Sequence, residues 1–262
     1  MVGMERCPES MLHHCSVHVS GIYPNEVSGE NGVVNDGFFK FPSTPHLATL
    51  DGVEIRGDKV LPESERDEFL KQNLVVEEKV DGANLGISFD SDGNIQAQNR
   101  GGYLHLPGSG QWKRLDGWLA PRPDVLFEHL SDHLILFGEW CFAQHSVFYD
   151  HLPDWFLGFD IYDKRFGRFF SAERRDALLM EMCIAQIPEV ARGRFTYLEI
   201  QKLLSKSILG DQPAEGLYLR FDQGEWLEQR AKLVRPAFIQ SVEQHWSRSA
   251  IRPNRLRFEV HG

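Results

Sequence analysis

The pattern of apolar and polar positions predicts many short strands interspersed with helices. Residues 75–87 are mostly apolar and β-branched at both ends and contain an Asp81-Gly82 pair. This pattern predicts two strands joined by a tight hairpin turn, with Gly82 at positive φ. A second Asp-Gly pair, within residues 91–94, predicts another hairpin turn that leads into a strand at 95–99.

Apolar runs and helical periodicity predict the remaining elements. Residues 107–123 are expected to be rich in loops, and Ser171 is a candidate N-cap. The elements do not alternate strictly between strand and helix, so the sequence favours an α+β fold with antiparallel sheets. Strands are predicted at 134–140, 155–162, 215–221 and 227–234, and helices at 63–73, 125–130, 171–184, 197–205 and 236–246.

The N-terminal residues 1–37 contain many turn formers and predict an irregular arm, with at most one short strand at 12–22. Cys15 and His18 have the spacing of half a zinc site. Neither Cys7 nor any other residue completes a second converging pair, so an ordinary mobile N-terminus is favoured over structural zinc.

Length and composition fit a soluble globular protein. The chain has 262 residues, of which 42% are hydrophobic and 25% are charged. We see no apolar run long enough for a bilayer and no signal-peptide pattern, and the cysteines form no CxxC pair. The sequence therefore predicts a cytoplasmic protein with reduced thiols.

The formal net charge of -10 argues against a general nucleic-acid binder. The charge is nevertheless uneven, because residues 229–258 contain seven basic residues and one acidic residue. A second basic cluster lies at 164–175. For either cluster, a basic binding surface and an ordinary solvated face both remain open.

Charged residues recur at the ends of the predicted strands, where burial is costly unless they are paired. A lysine that ends a strand amid carboxylates and a glycine favours a nucleophile over a solubilising charge. The repetition favours one shared pocket over separate ion pairs. The residues are Lys79 with Asp81, Arg100, Glu139, Asp160, Glu215, and Arg230 with Lys232.

In their order along the chain, these residues resemble the motifs of the covalent nucleotidyltransferase superfamily of ATP-dependent ligases and capping enzymes. KxDG alone is a weak pattern, but the full ordered set, which spans roughly residues 38–235, is specific. The chain departs from the family at Arg230, where a lysine is usual. The matches are Lys79-Val80-Asp81-Gly82, Arg100, Phe137-Gly138-Glu139, Phe159-Asp160, Glu215-Gly216 and Lys232, and the extension to Asn84 resembles RNA ligases of the phage double-strand type.

The resemblance implies a nucleotidyltransferase (ATP-grasp-like ligase) fold. In this fold two mainly antiparallel sheets are flanked by helices, with the nucleotide pocket between them. An adenylyltransferase domain is implied over residues 38–236, followed by a short basic helix and tail at 237–262. That tail is too short for the five-stranded oligonucleotide-binding barrel that DNA ligases and capping enzymes carry.

The resemblance also implies the chemistry. Lys79 attacks ATP in the presence of Mg²⁺ or Mn²⁺, AMP passes to a 5′-phosphate RNA end, and a 3′-hydroxyl displaces it. The attacking amine must lose its proton, so the site is expected to lower the pKa of Lys79 from about 10.4. The remaining implied roles are nucleotide binding by Glu77, Glu78, Arg100, Glu139 (ribose), Phe159 (adenine stacking) and Lys232, catalysis by Glu215, Arg230 and Lys232, metal binding by Glu215 and Asp81, and RNA 5′-phosphate binding by Asn84.

The implied partner is nicked or broken duplex RNA in RNA repair, with a separate kinase or phosphatase to prepare the ends. The tail arginines Arg248, Arg252, Arg255 and Arg257 are candidate phosphate contacts. Three alternatives remain open: a DNA ligase, a GTP-using capping enzyme, and an inactive nucleotide- or RNA-binding module.

Overall fold

The structure, a computed structural model, describes residues 38–50, 59–241 and 251–258. The predicted N-terminal arm, with its short strand and its alternative zinc site, lies outside these residues. So does the end of the last predicted helix. The domain boundaries therefore stay a prediction.

Within the described ranges the chain forms nine strands and six α-helices, joined by loops and one 3₁₀ turn at Gly110–Trp112. No helix in those ranges combines the length and the apolarity needed to cross a membrane. The helices are α1 (Glu63–Leu70), α2 (Leu115–Leu119), α3 (Pro123–Leu130), α4 (Ala172–Glu181), α5 (Tyr197–Leu203) and α6 (Pro236–Ser241). The strands are β1 (Leu74–Lys79), β2 (Ala83–Phe89), β3 (Ile95–Gln98), β4 (Leu134–Trp140), β5 (Phe156–Asp163), β6 (Arg168–Phe169), β7 (Glu189–Gly193), β8 (Gly216–Gln223) and β9 (Trp226–Val234).

The strands form two antiparallel sheets, which confirms the predicted α+β class. The first sheet has the order β7-β1-β8-β9 and the second the order β3-β2-β4-β5-β6. Apolar residues alternate along β1, β8 and β9, so that one face of the first sheet packs with Phe69 of α1 and Ile200 of α5. Arg220 of β8 and Arg230 of β9 consequently face the second sheet, where both contact Asp160.

The predicted hairpin at 75–87 is wrong. Lys79 at the end of β1 pairs with Gly216 in the first sheet, whereas Ala83 at the start of β2 pairs with Trp140 in the second sheet. Residues 80–82 therefore cross between the sheets instead of turning back. An Asp-Gly pair signals a local change of direction, but it does not specify which strands become neighbours.

Gly82 does not have the predicted positive φ, since it is absent from the positive-φ glycines of the described chain. A glycine is needed at this position for a different reason. A Cβ at this position would lie 2.8 Å from the Trp140 carbonyl oxygen and 2.9 Å from Cγ of Glu139. The glycine thus permits the crossing segment to lie directly against the end of β4. The turn at 91–94 does follow the prediction, since Gly93 has φ +79° and β2 pairs with β3.

Two segments contain helices or strands that the sequence did not predict. Residues 107–123 contain a 3₁₀ turn, α2 and the first residue of α3, where a loop-rich segment was expected. The edge strand β7 has no prediction, because its half-exposed sequence Glu-Val-Ala-Arg-Gly lacks a regular apolar alternation. It is an edge strand defined by its pairing with β1.

Buried ion pairs connect the two sheets. Asp160 of β5 accepts hydrogen bonds from Arg220 of β8 and from Arg230 of β9, the latter at 3.0 Å. Arg220 and Asp160 are both fully buried. An arginine–carboxylate pair without access to water requires close geometry, so this contact specifies how the sheets face each other.

Arg175 adds a third element to this contact. Ser171 caps α4 by accepting a hydrogen bond from the backbone N–H of Arg174, and the helix carries Arg175 into the interior. Its guanidinium contacts Oε1 of Glu77 on β1 at 2.6 Å and donates to the Phe159 carbonyl oxygen on β5 at 2.7 Å. We call Glu77, Asp160, Arg175, Arg220 and Arg230 the buried ion network.

We expect Arg175→Met to lower the free energy of unfolding by about 3–5 kcal/mol, because it leaves the Glu77 carboxylate buried without its cation. The matched control is Arg192→Met, which removes an exposed pair with Glu189 and should cost about 0–1 kcal/mol. Urea denaturation measures both. The double variant Glu77→Gln/Arg175→Met should recover part of the loss, and equal losses in Arg175→Met and Arg192→Met would contradict this account of the network.

Candidate active site

A cavity between the two sheets collects most of the residues that the sequence singles out. The first sheet contributes Lys79 and Lys232, and the second contributes Glu139 and Phe159. The sequence-predicted residues Glu78 and Arg100 also line it. Val80 of the lysine motif lines it too, and the remaining lining residues, which the sequence did not indicate, are Phe41, Thr44, Ile187 and Tyr218.

Strand register explains why the first sheet presents polar side chains to the cavity. Lys232 on β9 lies opposite Tyr218 on β8, and Tyr218 lies opposite Glu77 on β1. Directly opposite residues of an antiparallel pair share one face of the sheet. Residues two positions along a strand share that face too, which adds Lys79 to the same surface.

A β-bulge explains the position of Phe159. Phe137 pairs with Asp160 and Gly138 pairs with Gly158, so Phe159 is the extra residue of β5. Bulges change the direction of a side chain and are frequent beside active sites. Here the ring of Phe159 lines the cavity with a T-shaped contact to Phe41 at 5.3 Å, while Asp160 enters the buried ion network.

Lys79 forms a short ion pair, with Nζ 2.6 Å from Oε2 of Glu215. Burial alone would lower the pKa of Lys79, but the carboxylates of Glu215, Glu139 and Asp81 outweigh it, and the pKa is raised above its ordinary value. The prediction of a lowered pKa for Lys79 does not hold in the ligand-free site. Without a ligand the site holds the amine protonated, because the charges nearest to it are carboxylates.

Glu139 has a strongly perturbed carboxyl group. Burial raises its pKa to about 8, and the opposing influence of Lys79 and Arg100 does not compensate. Its Oε1 accepts a hydrogen bond from the backbone N–H of Gly82 at 3.2 Å. The strand end that holds Glu139 is therefore connected to the crossing segment that follows Lys79.

Glu78 lines the cavity, but both its carboxylate oxygens are engaged. Oε1 accepts from the Ser207 hydroxyl at 2.5 Å, and Oε2 accepts from the backbone N–H of Ile208 at 2.8 Å. Burial raises the pKa of Glu78 despite these bonds. The carboxylate thus anchors the 207–208 loop beside the cavity.

Three predicted site residues have their side chains elsewhere. Glu77 and Arg230 belong to the buried ion network, and the Arg230 guanidinium also lies over the rings of Phe41 and Phe169, at 4.7 and 4.6 Å from their centroids. Oδ2 of Asp81 accepts from two consecutive backbone N–H groups, those of Ser146 at 2.6 Å and Val147 at 2.9 Å. Asp81 therefore fastens the loop after β4 to the segment that carries Lys79.

Asn84 lies on β2 directly opposite Glu139 and therefore on the same face of the second sheet. It is 9% exposed, and its side-chain amide nitrogen has no hydrogen-bond partner within the described part of the chain. A buried amide without a partner is costly, so this position has capacity for a ligand atom beside the cavity.

Among the cavity residues that were not predicted, some carry a recognisable sequence pattern and others do not. Tyr218 is a polar residue between the buried Leu217 and Leu219, and this alternation marks the inner face of a strand. Phe41 and Thr44 come from an irregular segment, where no periodicity indicates which side chains turn inward.

The protein atoms alone do not form a closed metal site. Among the described residues, no group of three or more His, Cys, Asp and Glu side chains is arranged to hold an ion. Magnesium sites that work on phosphates usually take only one or two protein carboxylates, with water and substrate oxygens completing the octahedron. Glu215, with its carboxylate at Lys79, is compatible with a site of that kind.

Comparisons with known proteins point to RNA ligases. The model of a family described as RNA ligase matches residues 72–234, more than half of the chain. No curated protein matches the chain.

Several solved structures of an RNA ligase from Naegleria gruberi are similar in fold. A mutant with AMP and Mn has a TM-score of 0.56 at 17% identity, the ligase with PPi 0.53 at 20%, and a mutant with ATP and Mn 0.54 at 19%. Each match covers 68% of this chain and 54% of the other, so this chain spans about half the length of those chains. At such identities the likeness shows the fold alone.

Glu139→Gln tests the raised pKa of Glu139. As pH rises from about 4.3, the unfolded chain ionises this carboxyl group before the folded protein does, so the parent loses stability until pH passes the folded pKa of about 8. Glutamine cannot ionise. We therefore expect Glu139→Gln to gain stability relative to the parent as pH rises through this window, with little difference below it.

Urea denaturation, repeated at steps of about 1 pH unit between about pH 4 and about pH 9, measures the difference in unfolding free energy between Glu139→Gln and the parent. Glu65→Gln, which changes an exposed glutamate on α1, is the control and should show no comparable trend. A difference between Glu139→Gln and the parent that does not vary with pH would show that Glu139 ionises as an ordinary carboxyl group.

Proposed function

The chain belongs to the RNA ligase family, and we propose that it joins 5′-phosphate and 3′-hydroxyl RNA ends in an ATP-dependent reaction through a covalent Lys79–AMP intermediate. The observation that carries this proposal is the partly buried amine of Lys79, which pairs with Glu215 and lines a cavity together with Glu139, Phe159 and Lys232. We further propose that the chain has the nucleotidyltransferase fold and is of the phage double-strand type.

In the first step, Nζ of Lys79 attacks the α-phosphorus of ATP. A nitrogen–phosphorus bond forms, the bond to the bridging oxygen breaks, and pyrophosphate leaves. The amine must first give up to solvent the proton that Glu215 and Glu139 help it keep, which its partial exposure permits. Once Glu215 is engaged by a ligand, its influence on the pKa of Lys79 falls, and burial then favours the neutral, nucleophilic amine.

The nucleotide is recognised by residues from both sheets. The ring of Phe159 stacks on the adenine, and Glu139 hydrogen-bonds to the ribose. Lys232 and Arg100 neutralise phosphate charge as the leaving group departs. The ring and the carboxyl group approach from the second sheet and Lys232 from the first, which supports binding of the nucleotide between the two.

The departure from the family's usual lysine at Arg230 also finds an explanation in the contacts. Its guanidinium lies over two rings and pairs with Asp160 at 3.0 Å. A planar cation suits stacking and carboxylate pairing better than an ammonium does. We therefore assign Arg230 and Glu77 to the positioning of Phe41 and Phe159, in place of the direct contacts to the nucleotide that the sequence implied.

Mn accompanies AMP or ATP in similar solved structures, and we propose a divalent ion, Mg²⁺ or Mn²⁺, for this chain as well. Glu215 is the residue that would hold it, since Oδ2 of Asp81 is occupied by backbone N–H groups. When bound, the ion would withdraw charge from the phosphates during displacement.

In the later steps AMP moves to the 5′-phosphate of an RNA end, and a 3′-hydroxyl attacks that end and releases AMP. Asn84, with its unpartnered amide beside Glu139, is the residue we assign to the 5′-phosphate. We place this activity in RNA repair in the cytoplasm, with a separate kinase or phosphatase to prepare the ends.

Incubation with α-labelled ATP and Mg²⁺, without RNA, should label the protein through a bond that is acid-labile and base-stable. Lys79→Ala should abolish the label because no other amine occupies that position. Lys206→Ala, which removes an exposed lysine paired with Asp211, is the control and should label like the parent. Label that persists in Lys79→Ala would refute the intermediate, and preferential labelling from GTP would favour the capping-enzyme alternative.

Sealing assays should distinguish the RNA ligase from a DNA ligase. We expect nicked duplex RNA to be joined, and sealing of DNA alone would overturn the assignment. With RNA whose 5′ end already carries AMP, Asn84→Ala should slow sealing by about 10-fold or more, because a hydrogen bond to a charged phosphate contributes about 1.5–3 kcal/mol. Asn73→Ala, at an exposed position after α1, is the control, and an equal rate for both variants would remove Asn84 from the phosphate site.

A further inference from the structure

A second concave surface lies outside the cavity and carries a concentration of positive charge. Lys113 and Arg114 follow the 3₁₀ turn, and Arg252 and Arg255 come from the C-terminal segment 251–258. Phe142 and Trp155, both largely buried, form an apolar floor with their rings in T-shaped contact at 5.4 Å. We call this surface the cationic groove.

The charge of the groove is unusual for this protein. The full chain carries a formal net charge of -10, yet the residues that line the groove include no carboxylate. Several exposed cations elsewhere sit beside acids, as in Lys71–Glu68, Arg192–Glu189 and Lys206–Asp211. Within the described ranges, none of the four groove cations forms such a pair, so their mutual repulsion is left for an external anion to relieve.

Three of the four cations lie over aromatic rings instead of beside acids. Nζ of Lys113 lies 5.3 Å from the ring centroid of Phe142, and the Arg114 guanidinium lies 5.8 Å from the same centroid. Arg255 lies 5.8 Å from the ring centroid of Phe148. A ring contact positions a guanidinium by its face and leaves its N–H edge available for phosphate oxygens.

A buried asparagine fixes the C-terminal wall of the groove. Asn254 is 1% exposed, its Oδ1 accepts from the backbone N–H of Tyr149 at 2.9 Å, and its Nδ2 donates to the Cys141 carbonyl oxygen at 2.8 Å. The neighbouring arginines are therefore attached to the loop that directly follows β4. The opposite wall is fixed too, since Nε1 of Trp140 donates to the Gln111 carbonyl oxygen at 2.7 Å.

The groove begins next to the candidate active site. Phe142 of the floor comes three residues after Glu139, which lines the cavity. Three residues span at most about 11 Å, even when fully extended. The same loop is fastened to Asp81, two residues from Lys79, through the N–H groups of Ser146 and Val147. An extended polyanion in the groove would therefore pass close to the cavity.

We propose that the cationic groove binds the phosphate backbone of the RNA strand beside the ends that are joined. This inference rests on the proposed ligase function for the identity of the polyanion. Cations on both walls match a ligand with repeating charges better than a single anion, and contacts to the backbone position a strand without reading its sequence. Arg252 and Arg255, two of the candidate phosphate contacts of the tail, both line this groove. Arg248 lies outside the described residues.

The test is the affinity of the full chain for a fluorescently labelled duplex RNA with a 5′-phosphorylated nick, measured over a series of salt concentrations. Arg252→Gln/Arg255→Gln should bind about tenfold more weakly or worse at low salt. The slope of log K against log salt should fall by about 0.7–0.9 for each phosphate that the variant no longer neutralises. Both side chains are exposed, so the substitutions leave the buried contacts of the segment intact.

Lys164→Gln/Lys202→Gln is the control, since it removes the same charge from exposed positions outside the groove. It should retain the affinity and the slope of the parent, and thermal unfolding checks that both variants are folded. Equal affinity and slope for the two double variants, or no RNA binding by the parent, would overturn the groove proposal. Labelling of the parent's Lys79 tests the proposed function separately, because that reaction contains no RNA.

Discussion

The contact between Asp160 and the arginines of the first sheet is the constraint on which the candidate active site depends. Removing charges from water is costly, and the cost is offset only when the pairs form in close geometry. Asp160 belongs to one sheet, and Arg220 and Arg230 belong to the other. The distance between the sheets, and with it the width of the cavity, is therefore specified by the requirement that these charges meet.

The network also acts on the cavity through the backbone. The carbonyl oxygen of the bulged residue Phe159 accepts hydrogen bonds from Arg175 at 2.7 Å and from Arg220 at 3.2 Å. A bulge leaves backbone groups without a partner strand, and here two buried guanidinium groups take that place. Arg175 and Arg220 thus position the ring of Phe159 although neither lines the cavity. The residues that position the site are therefore different from the residues that would contact a nucleotide.

The sequence predicted the residues of the site better than it predicted their arrangement. The apolar run at 134–140 correctly predicted β4, and motif order singled out the cavity residues Lys79, Glu139, Phe159 and Lys232, because these are properties of single segments. The transfer of the chain between sheets at residues 80–82 and the bulge at Phe159 depend on pairing with distant strands, which no local pattern contains. The same limit applies to Arg175, which reads as an ordinary polar residue of an amphipathic helix but lies 1% exposed.

The overall charge and the local charges of the protein act together. An acidic surface repels polyanions, so RNA would gain affinity only where cations are collected, and a wrong docking orientation would meet like charge. The cavity collects Lys79, Arg100 and Lys232, and the groove collects four cations of its own. Asp81 and Asn254 fix the loop between these two sites to the crossing segment 80–82 and to the C-terminal segment 251–258. An RNA strand bound in the groove would therefore have its orientation relative to Lys79 defined by the protein and not by the flexibility of the RNA.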